Sequence, residues 1–264
     1  MDKNHGSGKK YATAWMEVTR NGDIGFFERQ FKTPYRNTVA FCDWLKSSGC
    51  LAEKQACRVA DAGAGMGGAL YYLSTQFPNV DFTGIEINPE LVDRGQHKMQ
   101  KLKVKNIRLV VGNIYRLGNA HRDRYKGVIS MQTLHVLPDF QAPLQKMMDM
   151  IPDWIAFSTL LYDGPINSKI ETHDYTMPTK GKPYNQKFHN VYSIDLVRKF
   201  MKDRGYGDFS SKPFEIDVDL PKPKTGGFGT YTVKTQEGKR LMVSGPLLMN
   251  WHFVTAKRTG RRKK

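Results

Sequence analysis

The sequence predicts an α/β fold: a doubly wound, mostly parallel sheet preceded by N-terminal helices and elaborated by cap insertions. Two observations carry this expectation. From Arg58 to Leu161 short apolar runs alternate with longer amphipathic stretches, the pattern of strands joined by crossover helices. Between the first run and the first stretch lies Gly63-Ala64-Gly65-Met66-Gly67-Gly68, and Glu86 closes the second run, about twenty residues further on.

Taken in order, residues 1–10 are polar and glycine-rich, and a disordered N-terminus is expected. Tyr11, Ala14, Trp15 and Val18 fall at helical spacing over 11–20, as do Val39, Ala40 and Trp44 over 36–48. Cap helices over 11–50 therefore precede the first strand. Strands are expected at 58–62, 81–86, 107–111, 125–130 and 154–161, with helices at 67–77, 89–102 and 140–150 between them. The helix at 89 opens with Asn88-Pro89, a capping side chain followed by proline at the first helical position.

Residues 163–190 lose all periodicity and read as a long irregular cap loop. A helix at 193–204 is expected next, capped by Ser193 and stopped by Gly205. A strand at 212–219 leads to a turn region with Pro221, Pro223, Gly226, Gly227 and Gly229. Strands at 229–235 and 240–243 pair around Glu237-Gly238, making 218–248 a hairpin insertion, and 249–256 is the last strand. One domain over 11–257 is expected, its core at 58–161, followed by a basic tail over 258–264.

A chain of 264 residues with 39% hydrophobic and 25% charged residues has the balance of a folded protein rather than a disordered one. No apolar stretch is long enough to span a membrane, the N-terminus opens on Asp2, Lys3, Asn4 and His5, and a cytoplasmic location is expected. Cys42, Cys50 and Cys57 form no CxxC pair and have no histidine at ligand spacing, so neither a structural metal nor a disulfide framework is expected. The formal net charge of +16 points toward anionic partners, although Arg258, Arg261, Arg262, Lys263 and Lys264 concentrate part of it in the tail.

Glycines at 63, 65 and 67 allow a sharp turn and close approach of the backbone to a ligand, and the helix start behind them offers free N–H groups. An acid at the end of the next strand, Glu86, can accept two hydrogen bonds from the vicinal hydroxyls of a ribose. The spacing describes a nucleoside crevice. Asp61, ahead of the first glycine, suits a ligand with a cationic amino-acid end better than a pyrophosphate at the helix N-terminus.

At these residues the chain resembles the class I, Rossmann-like S-adenosylmethionine-dependent methyltransferases, whose first motif reads acid-x-Gly-x-Gly-x-Gly. The resemblance continues at Glu86, at Gly112-Asn113-Ile114 and at Ser130-Met131-Gln132-Thr133-Leu134-His135-Val136-Leu137, and covers 58–161. It implies a late antiparallel strand ending the sheet and S-adenosyl-L-methionine as cofactor. It further implies that Gly63, Gly65 and Gly67 border the methionine part, with Gln132 close to its end, and that Glu86 binds the ribose. Ile87 then packs on the adenine, with Asn113 and Ile114 near the exocyclic amine; Asn113 stands where many members carry Asp. No Asn/Asp-Pro-Pro-Tyr/Phe follows the fourth strand, which counts against the amino-methylating enzymes acting on nucleic-acid bases.

Methyl transfer needs alignment of acceptor, methyl and sulfur, and removal of a proton where the acceptor has one. His135, His173, Tyr184, His189 and Tyr192 are the candidate bases, with Tyr175, His252, Lys180, Lys182 and Lys187 as further polar groups around the same pocket. The same side chains are compatible with plain surface or core duties. The sequence favours a small-molecule or sugar-type acceptor, anionic acceptors included, methylated on oxygen or nitrogen. An RNA or other nucleic-acid acceptor, reached through the basic surface, and a non-catalytic binding protein on the same fold are the alternatives.

Overall fold

A computed structural model of the chain describes residues 21–117, 119–176, 181, 183–222 and 229–260. Two helices, α1 (Asn21–Lys32) and α2 (Arg36–Ser47), precede the sheet. Strands β1 (Cys57–Ala62), β2 (Val80–Glu86), β3 (Ile107–Val111), β4 (Gly127–Met131) and β5 (Trp154–Tyr162) follow. Helices α3 (Gly68–Gln76), α4 (Pro89–Lys101) and α5 (Gln141–Asp149) connect them. Apart from α1, each of these elements lies within two residues of its expected span.

The main sheet runs β3-β2-β1-β4-β5, all parallel. It continues through β13 (Trp251–Lys257) to β9 (Asp208–Pro213), with β13 antiparallel to both neighbours. The two-residue β8 (Tyr192–Ser193) pairs with the end of β5 and leads into α6 (Ile194–Lys202), whose first turn Ser193 caps through Leu196 N–H. Strand order reverses between β1 and β4, and in open α/β sheets a ligand crevice lies there, outside the carboxyl ends of the strands.

Alternate residues of each buried strand feed two cores. Val59, Phe82, Ala156 and Phe253 pack with Phe41 and Leu45 of α2 and Leu70 and Leu73 of α3. Ala60, Val128, Ile155, Phe157 and Val254 pack with Leu144 and Met147 of α5 and Val197 and Met201 of α6. Burying both faces explains why these strands read as apolar runs. No helix among the described residues is long and apolar enough to cross a membrane.

Four differences from the sequence expectations have physical causes. The expected helix at 11–20 and the N-terminus at 1–10 lie outside the described residues, whereas 21–32, not foreseen, forms α1. Its Ile24, Phe27 and Phe31 have helical spacing, obscured by Gly22 and Gly25 and by a charged remainder. The strand expected at 212–219 is β9 at 208–213, and its pairing with β13 stops at Pro213. Beyond it Phe214, Ile216, Val218 and Leu220 alternate like a strand but lie on the core without belonging to one. The 163–190 loop contains paired strands, β6 (Glu171–Asp174) with β7 (Asn185–Phe188), and the expected late hairpin, β10 (Thr230–Lys234) with β11 (Arg240–Ser244), gains a third strand, β12 (Leu247–Leu248).

Candidate cofactor and acceptor site

The turn between β1 and α3 closes on the end of β2: Gly63 N–H and Ala64 N–H both donate to Ile85 O, at 2.8 and 3.2 Å. Gly63 and Gly65 have φ of 90° and 54°, the left-handed region where a side chain is strained. Space forbids one as well. A Cβ on Gly63 would stand 2.5 Å from Thr133 Oγ1, and one on Gly65 2.5 Å from Phe27 Cε1.

Glu86 ends β2 with its carboxylate turned into this turn. Oε2 accepts Gly65 N–H at 2.9 Å and Oε1 accepts Asn88 N–H at 2.9 Å. Burial pushes its pKa up, and hydrogen bonds from the backbone of Asn88, Gly65 and Ile87 oppose that shift. Asn88 in turn caps α4 through Glu90 N–H at 2.9 Å, with Pro89 at the first helical position. Two residues ahead of Gly63, Asp61 is buried to 2% exposure, and its Oδ1 has no hydrogen-bond partner among the described residues. Burial first and the charge of Glu86 second push its pKa up to about 8.

The third strand end is tied to the second, Gly112 N–H donating to Glu86 O at 2.8 Å. Asn113 follows it and accepts Tyr115 N–H on Oδ1 at 2.9 Å, capping the short helical turn Ile114–Arg116. Ile87 and Ile114 are half-buried. After β4, Gln132 has φ of 51°, uncommon for a residue with a side chain, and donates its N–H to Ser158 Oγ at 2.9 Å. Such a conformation, held by a neighbouring strand, is often found where a backbone must present itself to a ligand. Thr133, not singled out by the sequence, fills the space beside Gly63, and Thr133 Oγ1 donates to Met131 O at 3.1 Å.

The candidate bases fall into three environments. His135 is buried against the Trp251 ring, 4.6 Å between centroids, and the His189 ring, 4.9 Å, both edge-on. Burial holds His135 well below the ordinary histidine range, hence neutral, and its Nδ1 has no hydrogen-bond partner among the described residues. His189 lies 2.8 Å from Ser244 O through Nε2, and a carbonyl only accepts, so Nε2 carries the proton. Tyr192 donates its hydroxyl to Leu134 O at 2.9 Å and accepts from Asn190 Nδ2 at 3.3 Å; burial raises its pKa. It braces the turn after β4.

His173 and Tyr184 stack at 4.0 Å on the β6–β7 hairpin, where His173 Nε2 meets Glu171 Oε1 at 2.8 Å. The structure therefore brings His135 and His189 together with Trp251, which sequence reasoning missed, and places His173 and Tyr184 in a separate, more exposed pair. Tyr175 is exposed beside Tyr184, Lys187 lies on β7, and His252 follows Trp251 on β13. Lys180 and Lys182 lie outside the described residues. No group of three or more His, Cys, Asp or Glu among the described residues could hold a metal ion.

Residues 53–161 match the family described as "Methyltransferase domain". A tRNA (guanine-N(7)-)-methyltransferase of Brugia malayi is 30% identical over 115 residues, 42% of this chain and 39% of that protein. The chain thus spans about two fifths of the length of the curated relative that it matches. Among solved structures, the DhpI–SAH complex superposes with a TM-score of 0.57 at 12% identity, over 98% of this chain and 100% of that one. Magnesium protoporphyrin IX methyltransferase (ChlM) from Synechocystis PCC 6803, with bound SAM, superposes with a TM-score of 0.51 at 17% identity, over 97% and 93%. At these identities the likeness is one of fold. Residues 53–161 thus resemble a methyltransferase domain, and the whole chain shares the Rossmann-like fold of these methyltransferase structures.

Proposed function

We propose that the chain binds S-adenosyl-L-methionine at the glycine turn and transfers its methyl group to an oxygen or nitrogen of a small-molecule acceptor, a sugar-type acceptor included. The observation that carries this reading is the pair of neighbouring carboxylates, buried Asp61 with an oxygen unpartnered among the described residues and half-buried Glu86 beside it. A buried carboxylate without a partner is costly, and a cationic ligand relieves it. S-adenosylmethionine is cationic, with an ammonium and a sulfonium, whereas a nicotinamide dinucleotide would bring a pyrophosphate to the same acids.

The donors and acceptors present fit the cofactor. A carboxylate has about four acceptor positions. Glu86 therefore retains capacity for ribose hydroxyls beyond its bonds to Gly65 and Asn88. In this reading the turn at Gly63, Gly65 and Gly67 borders the methionine part, Ile87 and Ile114 offer a half-buried apolar wall to the adenine, and Asn113 its Nδ2 donors to a ring nitrogen. Gln132 and Thr133 stand where the methionine end and the acceptor meet. When bound, the cofactor supplies a methyl group on a positively charged sulfur, open to direct displacement.

The chain's own work is to orient the acceptor, keep water out and receive the proton that the acceptor loses. His135 suits the last task better than the other candidates, being neutral and retaining an unpartnered ring nitrogen three residues after Gln132. The Tyr192 hydroxyl is committed to Leu134 O, Leu137 O and Asn190 Nδ2, and His173 is paired with Glu171. In this reading the β6–β7 hairpin is the roof of the acceptor pocket, and enclosure of that kind favours a small acceptor.

A nucleic-acid acceptor is the second reading, favoured by the net charge of +16 and by the tRNA methyltransferase relative. Incubation with methyl-labelled S-adenosylmethionine and separate RNA, protein and metabolite fractions tests both. Label in the metabolite fraction supports the proposal, label in RNA replaces it with the second reading, and tight binding without transfer leaves a binding protein. Calorimetry should show binding of S-adenosylmethionine and S-adenosylhomocysteine but not of NAD or NADP; the reverse would overturn the cofactor assignment.

A further inference from the structure

Helix α1 crosses the glycine turn and the start of α3. The ring of Phe27 covers the Cα face of Gly65, and Gln30 covers Gly68, where a Cβ would stand 2.5 Å from Gln30 Cβ. Alanine at either position would collide with α1, so these two glycines accommodate a helix as well as a ligand. Phe27 is half-buried, in a cluster with Phe31, Met66, Leu91 and Met99. Leu91 lies in the first turn of α4, directly after Asn88, and Asn88 and Gly65 are the residues whose N–H groups reach Glu86. Phe27 therefore stands over the segment of the crevice that Glu86 defines.

Its helix is pinned there. The Phe26 ring meets the Phe27 ring edge-on at 5.3 Å and the Tyr35 ring at 5.1 Å, and Tyr35 donates its hydroxyl to Phe26 O at 2.8 Å. Phe31 packs on Tyr71 of α3 at 5.7 Å on the far side of Phe27. Fixed at both ends, the intervening residue presents a partly exposed aromatic surface at the mouth of the crevice.

We propose that Phe27 is a cofactor-binding residue, its ring forming the outer wall of the crevice against the ribose and the sulfonium-bearing chain while α1 stays in place over the bound ligand. The inference rests on the assignment of S-adenosylmethionine to this site. An aromatic ring adds apolar area that a nucleoside covers, and its negative face is attracted to a nearby cation. It also places the α1 helix among the elements that retain the cofactor, a role separate from that of the glycine turn beneath it.

The test uses the full-length chain with Phe27→Leu and Phe27→Ala, read by calorimetry, by stopped-flow dissociation of S-adenosylmethionine and S-adenosylhomocysteine, and by thermal unfolding. Leucine keeps the apolar contacts to Met66 and Leu91 but removes the ring. Phe27→Leu should melt within about 3 °C of the parent. It should bind S-adenosylmethionine about 5- to 10-fold more weakly, mostly through faster dissociation. S-adenosylhomocysteine, without the sulfonium charge, should lose less. Hydrogen exchange of 24–32 in the parent should slow when cofactor is added, a readout that stands even if Phe27→Ala does not fold. Unchanged or tighter binding by Phe27→Leu would overturn the proposal, as would exchange in 24–32 indifferent to cofactor. A parent that binds no S-adenosylmethionine overturns the cofactor assignment beneath it.

Discussion

Asp61 has an oxygen without a partner in a crevice where the other acids are hydrogen-bonded, and its proton is the consequence. The folded chain retains that proton to about pH 8, whereas the unfolded chain releases it near the ordinary value of 3.8. Between these limits the folded state binds more protons, so this group's contribution to stability falls as pH rises through the window and levels off above it. Asp61→Asn should remove that slope. Its melting temperature should gain on the parent's from about pH 5 to about pH 8. Its affinity for S-adenosylmethionine should be weaker and flat with pH where the parent's tightens. A melting difference independent of pH would refute this assignment. Glu86 was legible from its spacing to the glycines, but its bonds to Gly65 and Asn88 N–H were not, because they depend on how the turn folds. Glu86→Ala should therefore weaken cofactor binding by about 1–3 kcal/mol and also lower the melting temperature, since two buried N–H groups lose their acceptor. Calorimetry beside thermal unfolding separates the two effects.

At the scale of elements, β1 to β5 and the helices between them were legible because a strand buried on both faces becomes an apolar run bounded by turn residues. The caps were not. Residues 214–220 carry a strand's alternation yet cover the core without a ladder, and 171–174 pair with 185–188 although both stretches are polar and of low strand propensity. The link between this hairpin and the sheet is Asn190, wholly buried, which donates from Nδ2 to Leu137 O at 2.8 Å and accepts Ile170 N–H on Oδ1 at 3.0 Å. No periodicity marks such a residue. Asn190→Ala should cost about 1–3 kcal/mol in urea unfolding, Ile170 N–H losing its acceptor while Leu137 O keeps only the Tyr192 hydroxyl, and should speed hydrogen exchange in 171–176 and 183–188. Loss of stability without faster exchange there would mean that the hairpin is held by other contacts. Separate replacement of His173 and Tyr184 tests whether the stacked pair serves the acceptor. Turnover should fall in both if the hairpin closes the pocket, and remain unchanged if the pair only stabilises the hairpin.

For the whole molecule, the excess of positive charge and its concentration toward the tail were plain in the sequence, but the residue at which the tail begins was not. Arg258 and Thr259 belong to the body: Arg258 N–H donates to Asp153 O and Thr259 N–H to Gly205 O, each at 2.8 Å. The deletion that probes the tail therefore begins at Arg261. Removing 261–264 should leave turnover of a small acceptor unchanged. With an RNA acceptor the same deletion should weaken binding and flatten its salt dependence, fewer phosphate contacts releasing fewer counterions. Filter binding over a salt series distinguishes the outcomes.

Strand β13 follows every other described strand in the sequence yet lies between two of them, β5 and β9. During synthesis β1 to β5 can associate as soon as they have emerged, but β9 has no neighbour in the main sheet until Trp251–Lys257 arrive. Pairings that wait on distant chain form slowly. Until then both β5 and β9 present open edges, templates for strands of other molecules. A chain interrupted at Asn250 would keep its glycine turn and its acids, and would be expected to pass into aggregates before either could bind a ligand.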